Sequence, residues 1–63
     1  MEQETATIIR KGDEYKRAAH FPFGGMEWLP SDENGKFLNP PAGFFVCHWR
    51  CKVPEGWEAV DLD

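Results

Sequence analysis

The chain lacks most of what catalytic and membrane proteins need. No apolar run extends beyond a few residues, whereas a bilayer-spanning helix needs about 20. No membrane partner is therefore expected. The only serine, Ser31, lies in the polar stretch Ser31-Asp32-Glu33-Asn34-Gly35, outside any G-x-S-x-G context. The six glycines form neither G-x-x-x-x-G-K-[ST] nor G-x-G-x-x-G, so no nucleotide loop is present. The two histidines, His20 and His48, are candidate general bases by residue type but have no sequence partner to make either one. An enzyme is not expected, and no cofactor is implied. Cysteine is equally sparse. Two of them do not make the disulfide framework of a small secreted scaffold. The start, MEQETAT, lacks the basic head and apolar middle of a signal peptide, so a cytoplasmic location is expected.

What is present is a short, acidic, aromatic-rich chain. Its 63 residues make one domain spanning 1–63, with residues 1–4 read as a frayed start. A chain this short retains only about 3–5 kcal/mol of net stability from its core. Aromatics make up 14% of the residues, enough to build a small core because each buries roughly 150–250 Å². The formal charge of −4 disfavours nucleic acid and anionic lipid as partners.

The pattern of residues predicts a mainly β fold: a small antiparallel sheet or barrel of four to six short strands. Thr5–Arg10 is β-branched and reads as a strand. Gly12-Asp13 reads as a hairpin turn pairing it with Glu14–Phe23. Residues 14–20 also fit a short helix capped by Asp13, which would give an α+β alternative. Pro22 ends either element. Met26–Leu29 is a short apolar piece, Asn34-Gly35 a turn, and Lys36–Leu38 a strand able to pair back on it. Phe44–Val53 shows the clearest strand pattern. Phe45, Cys47, Trp49, Cys51 and Val53 alternate onto an apolar face, and His48, Arg50 and Lys52 onto the other. Pro54-Glu55-Gly56 is a turn leading to a last strand at Trp57–Leu62.

Three constellations carry functional possibilities. Cys47 and Cys51, with His20 and His48, have the inventory of a zinc site. On a continuous strand the two cysteines stand roughly 13 Å apart at ~3.3 Å per residue, which forbids both a shared metal and a disulfide. No metal ligand is therefore assigned, and a zinc-binding module remains an alternative only if the strand bends. Arg10, Lys11, Lys16, Arg17 and His20, with Tyr15 and Phe21 between them, form one basic region, and His48, Arg50 and Lys52 a second. On one sheet face they would resemble a single-strand nucleic-acid surface, the other alternative. The acidic residues Glu2, Glu4, Asp32, Glu33, Glu55, Glu58, Asp61 and Asp63 suggest a negative end able to steer a basic partner.

Trp28, Trp49, Trp57, Phe21, Phe23, Phe37, Phe44 and Phe45 outnumber what a core of this size encloses, and exposed aromatics anchor interfaces. The favoured expectation is a small acidic protein-binding module acting as an inhibitor, adaptor or accessory subunit. Small phage- or bacterially encoded modulators of host enzymes offer the analogy. Its partner-binding residues would be Phe23, Trp28, Phe44, His48, Arg50, Lys52, Arg17 and Tyr15, with self-association through the aromatics as a variant.

Overall fold

The computed structural model describes residues 4–60. Seven short strands appear among them: β1 (Thr5–Ala6), β2 (Ile8–Lys11), β3 (Glu14–Phe21), β4 (Gly25–Ser31), β5 (Phe45–Val46), β6 (Cys51–Lys52) and β7 (Glu58–Ala59). All pairings are antiparallel. The fold is the small, mainly β one that the residue pattern predicts. The helix considered over 14–20 does not form; that segment is the longest strand, β3.

Two tight turns set the central meander. Gly12-Asp13 joins β2 to β3 with Lys11 opposite Glu14. Gly12 takes the positive φ of 63° that the first position of a type II′ turn requires. At the other end of β3, the Gly24 N–H donates to the Phe21 carbonyl at 3.3 Å, with Pro22 and Phe23 as the central pair. Gly25, with φ 77°, then re-enters the ladder. The loop Pro22-Phe23-Gly24 is thus closed by the Phe21↔Gly25 pair, with the left-handed glycine as the first residue of β4. Pro22 presets the turn, and Phe23 is left at its tip.

β3 organises the molecule. Along one edge it pairs with β4 from Tyr15↔Ser31 to Phe21↔Gly25. Its other edge is shared. Residues 14–17 pair with β2, and Ala19 and His20 pair with Val46 and Phe45 of β5. The handover falls at Ala18, whose N–H donates to the Thr7 carbonyl at 2.9 Å and whose carbonyl accepts from the Cys47 N–H at 3.4 Å. At Thr7 the N-terminal chain leaves β3. β1 pairs instead with β6, Ala6 opposite Cys51, and the Val53 N–H donates to the Glu4 carbonyl at 3.0 Å. Of the N-terminal stretch 1–4, the structure describes Glu4 alone, whose carbonyl accepts this bond; residues 1–3 lie outside the described residues.

Both faces of β3 are covered, and its centre is accordingly Ala18-Ala19, neither with any exposed surface. On one face Ala18 packs with Cys47 and Cys51, flanked by Met26 and Trp28. On the other lie Phe21, Phe44 and Phe37, the last two rings edge to face at 4.9 Å. The 31–38 loop that carries Phe37 is shaped by Asp32, whose Oδ1 accepts from the Asn34 and Lys36 N–H groups at 2.9 and 2.8 Å. Lys36–Leu38 does not form a strand. It keeps a single bridge, Ser31↔Phe37, and a 3.1 Å bond from the Leu38 N–H to the Pro30 carbonyl.

The predicted strand over Phe44–Val53 is not continuous. It divides into β5 and β6, separated by a corner at residues 47–50. The final segment does not form a hairpin with it. The Trp57 N–H closes the Pro54 turn at 3.2 Å, and β7 then pairs with β2, Ile9 opposite Ala59. Asp61 and Leu62, the end of that predicted strand, lie outside the described residues.

Candidate functional site

The corner at 47–50 overturns the spacing argument against the cysteines meeting. β5 belongs to the main sheet and β6 to the two-stranded one, so the chain folds back between them. Cys47 and Cys51 both point inward against Ala18, and their sulfurs lie 3.4 Å apart. Each thiol also reaches the Trp49 carbonyl, Cys47 Sγ at 3.3 Å and Cys51 Sγ at 3.6 Å. Both are free thiols, 1% and 6% exposed. Burial, followed by the neighbouring Cys47, pushes the Cys51 thiol up to about 11. Two converging sulfurs fall short of the four ligands of a structural zinc site. Among the described residues no group of three or more His, Cys, Asp or Glu side chains converges on a point.

Two large side chains at this corner and just before it are exposed. Trp49 is 53% exposed and Phe45 61% exposed, although alternation had put both on the buried face. Phe45 stands opposite His20 in the β3–β5 ladder, and His20 stands opposite Met26 in the β3–β4 ladder. Directly opposed residues share a face and touch. The three therefore form a row across one face, and the His20 ring meets Trp49 edge-on at 5.3 Å. Phe23 lies two residues beyond the end of β3 and is fully exposed. The core that holds the cysteines thus opens at the hairpin end of β3 onto an apolar rim of Phe45, His20, Trp49 and Met26.

The expected partner-binding residues distribute differently. Phe23 and His48 are exposed. Trp28 is half-buried against the cysteine core. Phe44 is half-buried between Phe21 and Phe37 on the opposite side of β3. Arg17 and Tyr15 also belong to that opposite face, by strand alternation from His20. Arg17 is enclosed: its Nη1 donates to the Gly35 carbonyl at 3.2 Å, its guanidinium lies 5.9 Å from the Phe37 ring centre, and its buried Nε has no hydrogen-bond partner among the described residues. Arg50 is exposed, and its Nε and Nη2 donate to the Thr5 hydroxyl and carbonyl at 3.2 and 2.6 Å. Lys52 is exposed in β6 opposite Thr5.

These positions do not assemble one basic sheet face. Lys11 and Lys16 share a face and lie 5.9 and 5.2 Å from the Trp57 ring centre. Arg10 is on the other face and pairs with Glu58 at 3.4 Å. Arg10, Lys11, Lys16 and Arg17 are divided between the two faces of the sheet and engaged within the molecule, so the N-terminal basic region does not line one face. Of the acidic residues, Glu2, Asp61 and Asp63 lie outside the described residues, and Glu58 is spent on Arg10.

No helix among the described residues is long and apolar enough to cross a membrane. No protein-family model, curated protein or solved structure matches the chain.

Proposed function

We propose that the chain is a small protein-binding module, an inhibitor, adaptor or accessory subunit that docks its aromatic rim on a larger protein. The observation that supports this reading is the exposure of Phe45, Trp49 and Phe23 at one end of β3. Scattered exposed apolar residues are ordinary, but Phe45 and Trp49 are joined through His20, and a contiguous group marks a contact site. Its backbone is already ordered by the β3–β5 ladder and by the Pro22 turn, so little conformational freedom is lost on docking. Aromatic anchors on a rigid support are what dominates binding energy in protein interfaces.

The test compares the natural chain with a Phe23→Ala/Phe45→Ala/Trp49→Ala variant. Because these side chains are mostly in solvent, the denaturation midpoint is expected to move by no more than about 1 kcal/mol in equivalent stability. Affinity capture from the native host, read by mass spectrometry, is expected to recover a specific protein with the natural chain and to lose it with the variant. Equal recovery of that protein by the folded variant rules out the rim as the docking surface.

A further inference from the structure

We propose that Cys47 and Cys51 form a redox-modification site, closing reversibly to an intramolecular disulfide by exchange with a low-molecular-weight disulfide such as oxidised glutathione. The proposal stands on the thiol pair and not on the docking rim, although the two adjoin. Three features carry it. The sulfurs already touch, at 3.4 Å, and a disulfide of about 2.05 Å requires them to approach by little more than a further ångström. Both thiols converge on one carbonyl, that of Trp49, so they occupy one pocket rather than meeting by a chance rotamer. Cys47 and the residues between the cysteines, 48–50, belong to no strand, so the approach can be made from the Cys47 side of the corner while Cys51 stays in the β6 ladder opposite Ala6.

The chemistry balances without any other oxidant. One cysteine thiolate attacks a sulfur of the small disulfide, forming a mixed disulfide and releasing one small thiolate. The second cysteine, after losing its proton, attacks the protein sulfur of that mixed disulfide and releases the second small thiolate. Two protein thiols are oxidised by two electrons, the small disulfide is reduced to two thiols, and the two protons end on the leaving groups. Cys51 keeps 6% exposure and Cys47 1%, so first attack belongs to Cys51 or to a brief local opening of the corner. Burial holds Cys51 protonated at neutral pH, which makes the exchange slow rather than unfavourable. Closure removes both thiol donors from the Trp49 carbonyl, so the oxidised corner differs from the reduced one where Trp49 leaves the surface.

The experiment uses the full chain in glutathione buffers of stepped reduced-to-oxidised ratio at pH 8, quenched by acid and alkylation and read by intact mass. The expected product is a monomer lighter by two hydrogens, carrying no alkyl groups, and returned to the dithiol by excess reduced glutathione. The same titration in concentrated urea gives the reference for the unfolded chain. A preformed pair should favour closure in the folded state over the unfolded one by at least about tenfold. Closure no more favourable than in urea overturns the site, as does a folded chain that retains both thiols or gains glutathione adducts without ring closure. None of these readings involves a partner, so failure here leaves the docking proposal standing and the reverse.

Discussion

Two residues carry sharp local constraints. Gly35 is buried with φ 86°, and a Cβ there would lie 2.8 Å from Ile8 Cδ1 and 3.1 Å from Arg17 Nη1. Gly35→Ala therefore meets both a backbone conformation that L-residues avoid and a crowded wall. It also disturbs the carbonyl that Arg17 Nη1 donates to. A loss of about 1–3 kcal/mol is expected, read as a lower urea midpoint. A Gly12→Ala variant isolates the backbone part, since nothing lies within 4 Å of a Cβ there. Cys51 makes the other residue-scale prediction. Its folded-state value of about 11 lies above the ordinary 9.0, so the folded chain binds that proton more tightly than the unfolded one. The resulting stability is complete below about pH 9 and is lost as pH rises through 9 to 11. Denaturant midpoints measured in reductant across that window should fall more steeply for the natural chain than for Cys51→Ala. Parallel slopes would show that the thiol makes no such contribution.

At the scale of elements, β3 is the strand on which everything else is hung, and its centre is built for close approach from both sides. Ala18 meets Cys47 and Cys51 on one face, and Ala19 is equally enclosed on the other. Enlarging either overpacks a layer that has no room. Ala18→Leu and Ala19→Leu are each expected to cost about 1–3 kcal/mol, a large part of the few kcal/mol available to a chain of this size. Ala18→Leu should in addition push the thiols apart and weaken disulfide closure, whereas Ala19→Leu should leave it intact. Thermal unfolding and the glutathione titration read the two effects separately.

The local turns of this sheet were legible because their signals are chemical and short-ranged. Gly12-Asp13, Pro22 and Asn34-Gly35 stand where the chain reverses. The corner at 47–50 was not legible, because Cys47 and Cys51 keep the same parity whether the chain between them is extended or folded back. Alternation therefore sends Trp49 inward with them, whereas it stands in the corner and is exposed; Phe45 does share the cysteine face, but the buried core ends short of it. The break of the N-terminal strand at Thr7 is hidden in the same way. It follows from β6 offering a second partner to Thr5 and Ala6, a long-range fact. The enclosure of Arg17 beneath Phe37 likewise depends on a loop packing across the sheet, which neighbouring residues do not encode.

On the scale of the whole molecule, net charge and the aromatic rim act in opposite directions. A charge of −4 at pH 7 makes copies of the chain repel one another, and the rim is apolar surface that gains by being covered. Near the sequence pI of about 5.0 the repulsion vanishes, and a few hundred millimolar salt screens it to a Debye length of several ångströms. The chain is therefore expected to be a monomer at pH 7 in low salt and to self-associate as pH approaches 5. Phe45→Ser/Trp49→Ser removes the apolar surface without changing the charge, so it should stay monomeric through the same range. Sedimentation velocity at pH 7 and pH 5 decides between the two contributions. If the serine variant associates as strongly as the natural chain, lost repulsion alone drives the assembly and the rim has no part in it. If only the natural chain associates, the rim is sticky surface that the charge holds apart at neutral pH. A larger partner would then compete with self-association for the same side chains, and the pH 5 assembly should dissolve when that partner is added.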